Sequence, residues 1–372
     1  MTWIYGLLCL IFLIIFHEFG HFIAAKLFGV KVESFSVGFG PVLLHKTIKG
    51  TDYRLSLLPL GGYCGMKGEK DFQRAIEEHL PTIEADKDSL YGVHPLKRAL
   101  IGFAGPFFNF LFTIIAFSII AGTGYKYYSY SNQIIVDPNL YEDSSTVAYD
   151  AGLLTGDKII QINNTTINDF SQIIETVSLA PDEDLTILVD RKGEILSFNL
   201  HTDFDKSTGS GKIGVIADST QVLEQELEGK GFFASIKEGF TETFNCIGAT
   251  IKSIGLLFKG VDLDNAVSGP LRVTDMLGST VQSGFQAGAR QGFVSVLSLM
   301  AIISISLFIM NLLPIPILDG CMILIAFIEI IIRRKVNPRI QYYVQFIGLA
   351  IIIVLFIIGL KGDIKFFMNK GK

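Results

Sequence analysis

Charge is scarce in this sequence, and it is missing altogether from four long stretches. Ile4–Phe16, Leu100–Ala121, Phe293–Leu318 and Ile340–Leu360 contain no Asp, Glu, Lys or Arg. Charged residues make up 18% of the 372, hydrophobic residues 49%, and the mean hydropathy is +0.46. That composition excludes an ordinary soluble globule of this size. The four cysteines are scattered, two of them in apolar runs, so a disulfide framework and a Cys-x-x-Cys metal site are both excluded. With a net charge of -5 and no basic stripe, a nucleic-acid partner is excluded too. No Lys or Arg precedes the first apolar run and no small-residue cleavage pattern follows it, so it reads as an anchor rather than a secretory signal.

What is present instead is membrane-crossing length. The first run continues past His21 to Leu27, giving a helix about 36 Å long at 1.5 Å per residue. The other three runs also reach the roughly 20 residues that a hydrocarbon core demands. We therefore expect an α-helical polytopic membrane protein with four transmembrane helices, the bilayer being its first partner. Lys26, Lys31, Lys97 and Arg98 flank the first loop, and Arg333, Arg334, Lys335 and Arg339 flank the third. Positive-inside logic puts both loops in the cytoplasm and both termini outside.

Between the first two spans, residues 35–63 read as a hairpin. Val37, Phe39, Val42 and Leu44 precede a Lys49-Gly50-Thr51-Asp52 turn, and Tyr53, Leu55 and Leu57 alternate after it. It is unusually apolar for a cytoplasmic loop, which suggests association with the membrane. Gly61–Gly68 lacks the ending of a phosphate loop and reads as a tight turn. Glu69–Ser89 is polar and reads as a surface helix or mobile segment. Residues 131–216 have the composition of a soluble α+β domain, and Ala151-Gly152-Leu153, Gly156-Asp157, Ile159, Ile162-Asn163 and a helix over 170–177 resemble a PDZ domain. A linker over 217–292 is expected to hold short amphipathic helices near the outer surface. The resulting division is 1–122 for spans one and two with the hairpin, 131–216 for the PDZ-like domain, 217–292 for the linker, and 293–372 for spans three and four.

The chemistry centres on His17-Glu18-Phe19-Gly20-His21. Two imidazoles four residues apart share one helix face, the geometry that two ligands of one zinc ion require. An ionisable trio inside a membrane helix is costly to bury and marks a functional site. A catalytic zinc takes three protein ligands, and Asp319 is the candidate third, being the only carboxylate between Phe293 and Ile328. Gly102, Gly105, Pro106 and Asn109 lie early in the second span, where they make a helix thin enough for close approach. His45, His79, His94 and His201 show no ligand spacing and read as surface residues. A scaffold with a structural metal, or a cytosolic protease that is merely anchored, would fit some of these features. Intact Glu18 argues against the first, and the direct run of Ile4–Phe16 into the motif argues against the second.

Taken together, His-Glu-Phe-Gly-His in a first span, Gly-Pro-x-x-Asn in a second, a PDZ-like insertion and Asn311-x-x-Pro-x-Pro-x-Leu-Asp-Gly320 resemble the site-2 protease family of intramembrane zinc metalloproteases, regulator of sigma-E protease type. The resemblance implies zinc held by His17, His21 and Asp319, with Glu18 as catalytic acid and base. It implies substrate contacts from Asn311, Pro314, Pro316, Asn109 and the hairpin. Its implied substrates are transmembrane segments of single-span proteins such as anti-sigma factors or signal-peptide remnants, cleaved in the inner membrane of a bacterium, and the PDZ-like domain would take a peptide or protein ligand. One departure stands out: the better-known members carry two tandem PDZ domains, and one copy is visible here.

Overall fold

A computed structural model describes residues 2–137, 145–262 and 268–370, so parts of the expected domain and linker fall outside the described residues. The chain divides into two compact units. The first comprises residues 1–123, 230–247 and 268–372, and the second residues 124–229 and 248–267.

The first unit is built on long apolar helices. Helix α1 runs Thr2–Leu27 and α3 runs Pro95–Thr123, with the short amphipathic α2, Glu69–Glu77, between them. Beyond residue 229 come α6 (Phe232–Leu257), of which residues 232–247 belong to this unit, and α7 (Pro270–Ala287), α8 (Ala289–Leu312), α9 (Asp319–Ile332) and α10 (Pro338–Lys370). Four helices among the described residues are long and apolar enough to cross a membrane: Thr2–Leu27, Pro95–Thr123, Ala289–Leu312 and Pro338–Met368.

Two expectations need correction. The third apolar run is not one helix ending at Asp319. It stops at Leu312, and Asp319 opens a separate helix, because Pro314 and Pro316 lack the amide hydrogens that a helix needs and force the residues before them toward extended backbone. Leu313 accordingly sits at φ -62°, ψ 141°. The linker, in turn, holds helices of 26 and 18 residues rather than short ones. Of these, α7 buries Thr274, Asp275, Leu277 and Gly278, and Leu277 joins Leu13, Phe112 and Ala301 in one apolar cluster. Asp363 of α10 is fully buried and accepts the backbone N–H groups of Gly269 (2.9 Å) and Leu271 (3.0 Å), so a carboxylate satisfies the free donors where α7 begins.

Between α1 and α3 lie β1 (Val32–Ile48) and β2 (Thr51–Met66), longer than the hairpin expected from sequence. Their pairing is also richer. Residues Ser34–Val37 have partners at Asp52–Leu55 on one side and at Gly62–Gly65 on the other, so β2 folds around the first half of β1. Gly61–Met66 is therefore a strand, not the tight turn anticipated. The base of this layer buries Ser34, Ser36, Thr51 and Ser56, whereas Val42, Leu43, Leu44, Leu57 and Leu58 are exposed. That inversion of the usual pattern is what a surface against lipid requires.

The second unit is β-rich. Strands β3 (Tyr125–Tyr130) and β4 (Ile134–Ile135) lead through α4 (Val147–Asp150) to β5 (Lys158–Ile162), β6 (Thr165–Thr166) and α5 (Phe170–Ser178). Then follow β7 (Asp184–Arg191), β8 (Glu194–His201), β9 (Asp203–Asp205), β10 (Ser210–Lys212), β11 (Ile216–Ala217) and β12 (Val222–Leu227). The main sheet is ordered β6-β5-β7-β8, and β10-β9, β11-β4 and β12-β3 form three separate two-stranded sheets. Alternation along β7 sends Leu185, Ile187 and Val189 inward to join Ile159, Ile162 and Ile173. Each such fully buried aliphatic contributes about 1.5–3 kcal/mol. Asp157, 1% exposed, receives two 2.7 Å hydrogen bonds from the Arg191 guanidinium and one from the Leu154 N–H (2.9 Å), which pins the Gly152–Asp157 turn to β7. Burial works to raise this carboxyl, but the guanidinium and the amide outweigh it and hold it below the usual range.

Candidate metal centre

An uninterrupted apolar helix carries His17 and His21 one turn apart, and both are largely buried. His21 Nδ1 donates to the carbonyl of Ile101 (2.8 Å), which leaves Nε2 with a free lone pair. Asp319, the first residue of α9, brings its carboxylate to the same point. The nitrogens His17 Nε2 and His21 Nε2 are 3.2 Å apart. Asp319 Oδ2 lies 3.2 Å from the first and Oδ1 3.2 Å from the second. Donors about 2.0–2.1 Å from a tetrahedral zinc ion stand about 3.3 Å from one another, so the two imidazole nitrogens, each with one oxygen of the Asp319 carboxylate beside it, are spaced as ligands of one zinc ion would be. Among the described residues no other His, Cys, Asp or Glu completes the cluster, which matches a three-ligand site with one open position.

Close approach of α3 makes room for the pair. A Cβ at Gly105 would run into His21 Nε2 and would lie 2.8 Å from His17 Cε1. One turn on, Asn109 is 1% exposed, and its side-chain amide sits 3.0 Å from His17 Nδ1. Its Oδ1 is one of two buried side-chain polar atoms without a partner among the described residues. Both facts point to one arrangement. A His17 that binds metal through Nε2 must carry its proton on Nδ1 and needs an acceptor there; a half turn of the amide supplies Oδ1 as that acceptor and removes the orphan. The Asn109 backbone is held by Thr113 Oγ1 and Ser304 Oγ, each donating to its carbonyl at 3.0 Å.

The cluster opens on a cleft of about 750 Å³. Glu18 lines it, as do Gly62, Tyr63, Cys64, Leu307 and Asn311. Gly62 lies beside Glu18, where a Cβ would be in ordinary contact with Glu18 Cγ (3.6 Å) but would press on the carbonyl of Ser36 (2.8 Å). Of the residues expected to meet substrate, Asn109 and Asn311 line the cleft. Pro314 and Pro316 are not among the lining residues, and Pro316 packs instead on Gly348 of α10. Between them and the metal cluster, Ile317 stands at φ 81°, a left-handed backbone that a β-branched residue adopts only when its surroundings force it. The expected hairpin ended at Tyr63, so the continuation of the strand through Cys64–Met66 is the part of the site that sequence reasoning missed; the glycines of Gly61–Gly68 read equally well as a turn.

The model of peptidase family M50 matches residues 5–355. The chain belongs to that family, the site-2 proteases. It is 34% identical over 448 residues to a "Putative zinc metalloprotease" of Treponema pallidum, covering 98% of this chain and 99% of the relative. A Campylobacter jejuni protein of the same description is 37% identical over 364 residues, covering 95% and 90%. One from Helicobacter pylori is 32% identical over 368 residues, covering 97% and 98%. The chain is thus a zinc metalloprotease of a membrane-protease family, and the donor set at His17, His21 and Asp319 has the chemistry and spacing that zinc takes.

Proposed function

We propose that the protein is an intramembrane endopeptidase that cleaves transmembrane segments of single-span membrane proteins, such as anti-sigma factors or signal-peptide remnants, in the cytoplasmic membrane of a bacterium. The observation that carries this reading is the gathering of three zinc-spaced donors, Glu18 and a strand edge in one cleft, with both histidines inside a helix of spanning length. His17, His21 and Asp319 hold the metal. Zinc, when bound, supplies a Lewis acid that polarises the scissile carbonyl and acidifies water. Glu18 takes the proton from the attacking water on its carboxylate and passes it to the leaving amine nitrogen as the C–N bond breaks.

A transmembrane helix hides its carbonyls in its own hydrogen bonds, so the substrate must present an unwound segment. Gly61–Met66 has its β1 partner on one side, and the described residues supply no backbone partner on the other. It supports a role as the strand to which that segment adds, beside Glu18. Asn311, with Asn109 behind His17, faces the same space.

The domain organisation given above accompanies this reading, with 131–216 as a PDZ-like domain. Supporting it are the turn pinned by Asp157 and an apolar groove of about 560 Å³ between α5 and residues 211–217, lined by Phe170, Ile173, Ile174 and Val177. A peptide or protein segment is its proposed ligand. The basic flanks of the first and third loops support placement of that domain and of both termini on the extracytoplasmic side.

The test is zinc stoichiometry and turnover measured together, on a panel of single-span substrates with products mapped by mass spectrometry. Glu18→Gln should keep one zinc per chain and lose turnover by about 10²- to 10⁴-fold. Asp319→Asn should lose zinc, whereas Asn311→Ala should keep zinc and lose turnover. Near-normal cleavage by Glu18→Gln would remove Glu18 from the mechanism.

A further inference from the structure

Arg333, Arg334 and Lys335, in the turn that joins α9 to α10, and His94 and Pro95, where α3 opens, border an open pocket of about 440 Å³. Arg333, Arg334, Lys335 and His94 line it, and Glu329 is the one carboxylate in its wall. That carboxylate is already used. It is 3% exposed, one oxygen is paired with the equally buried Arg98, and the other accepts the Val336 N–H (2.9 Å). Lys335 Nζ donates to the carbonyls of Ile83 (3.0 Å) and Tyr91 (3.4 Å), both neutral groups. His94 Nδ1 accepts the Leu96 N–H (3.2 Å), which leaves Nε2 as the ring's donor. Arg333 and Arg334 are exposed, and neither guanidinium has an ion pair or hydrogen bond among the described residues. Three fixed positive charges therefore face one small space with no free carboxylate in its wall.

The wall itself continues into lipid-facing surface. Ile330 lines the cavity, and along the same helix Leu324 is 44%, Phe327 47%, Ile331 78% and Ile332 50% exposed. A ligand that satisfies both halves has a phosphate at one end and long apolar chains at the other. We propose that this cavity holds the phosphate of an anionic phospholipid, with Arg333 and Arg334 as its principal partners, Lys335 and His94 as further donors, and the acyl chains along α9. Basic residues at membrane boundaries orient helices in general; what sets this group apart is that its members border one pocket and that the carboxylate beneath them is already neutralised. The inference rests on the membrane location of the chain and not on its peptidase chemistry.

Each basic residue close to an anionic headgroup is worth about a fivefold change in affinity, so removing two should weaken binding on the order of 10- to 30-fold. The experiment uses the full-length protein in detergent micelles containing graded phosphatidylglycerol or phosphatidylcholine, with retained lipid counted by native mass spectrometry. Arg333→Asn/Arg334→Gln is the test variant, Asn being tolerated at the left-handed backbone of residue 333 (φ 53°). Lys97→Gln/Arg339→Gln removes the same charge outside the cavity lining and is the control. Zinc content verifies that both variants are folded. We expect phosphatidylglycerol to be retained over phosphatidylcholine, to be lost in the test variant, and to persist in the control and in millimolar inorganic phosphate. Equal loss in both variants would reduce the effect to diffuse surface charge and overturn the site. Equal retention of the two lipids, or displacement by inorganic phosphate, would overturn its assignment to a lipid.

Discussion

The interior of the helical unit holds His17, His21, Arg98, Asn109, Glu329 and Asp363, while Ile331, Ile347 and Phe356 face outward; in the β-rich unit Ile134, Ile159, Ile162, Leu185 and Ile187 fill the interior and the charged side chains lie largely outside. Each arrangement answers a different solvent. Against water, burying aliphatic surface is the main driving force, and a core of branched residues follows. Against lipid tails, an outward Ile costs nothing, so helix association depends on close packing and on polar groups that find partners inside. The difference teaches that the polar interior of the helical unit is part of what holds it together, and the metal cluster is one piece of that interior.

The largest effect should come from breaking the deepest ion pair. In Glu329→Gln the buried Arg98, 4% exposed, loses its counter-charge, and removal of one partner from such a pair costs about 3–5 kcal/mol. Asp157→Asn in the other unit should cost less, because Arg191 is 27% exposed and can turn to water. Unfolding monitored by denaturant titration in lipid nanodiscs would compare the two. A smaller loss for Glu329→Gln than for Asp157→Asn would break the contrast between the units.

The reciprocal change is Ile187→Ala. Ile187 is fully buried, and truncation of such a residue costs about 2–5 kcal/mol. Ile347→Ala, at a position 60% exposed on α10, should be close to neutral in a bilayer. Proteolysis of the β-rich unit under mild denaturant reads the first, and zinc content should be unchanged in it. Comparable losses at the two positions would mean that the outward face of α10 is packed rather than lipid-facing.

Much of this division is legible without coordinates, for physical reasons that differ by region. The four spans are visible because length and absence of charge are nearly sufficient for a membrane helix. The candidate metal-ligand pair on α1 is visible because helical periodicity brings residues 17 and 21 onto one face. The break before Asp319 is less so: an apolar run looks continuous to composition, and only the weight given to Pro314 and Pro316 ends the helix at Leu312. Long-range pairing was hidden altogether. Nothing near Ser34–Val37 in sequence announces partners at both residues 52–55 and 62–65, and nothing in Arg98 or Glu329 announces the other, 231 positions away. Asn109 was visible as a polar residue in a span, but its place behind His17 depends on the crossing of α1 and α3.

That place makes the third prediction. Asn109→Ala removes the side-chain amide beside His17 Nδ1, which after a half turn offers the acceptor that a metal-binding ring needs, while leaving all three candidate donors, and loss of such an outer partner weakens metal binding by about 10- to 100-fold. Asn109→Asp restores an acceptor of the same shape, so zinc affinity by chelator competition should recover or exceed that of the wild type. A role confined to substrate contact would leave zinc affinity unchanged in both variants and would return Asn109 to the cleft wall alone.

The smallest effect tests the outer surface of the β-rich unit, where polar contacts are solvated and should matter little. His201 Nδ1 lies 2.8 Å from Asp184 Oδ1 and Nε2 lies 3.1 Å from Asp182 Oδ1, all three side chains being more than half exposed. Hydrogen bonds to Asp184 and then Asp182 raise the imidazole above its ordinary value of 6.5. A raised value means that the folded unit binds the proton more tightly than the unfolded chain does. The stabilisation is therefore complete below about pH 6.5 and fades as pH rises through the higher folded value. His201→Gln should be measurably less stable than wild type near about pH 5.5 and indistinguishable from it once the wild-type imidazole has lost its proton. High salt should shrink the acid-side difference, since these charges are exposed to screening. An NMR titration of the His201 ring alongside thermal unfolding would check both the direction and the window. A difference that grew with rising pH would mean that His201 acts through its neutral ring and not through the two carboxylates.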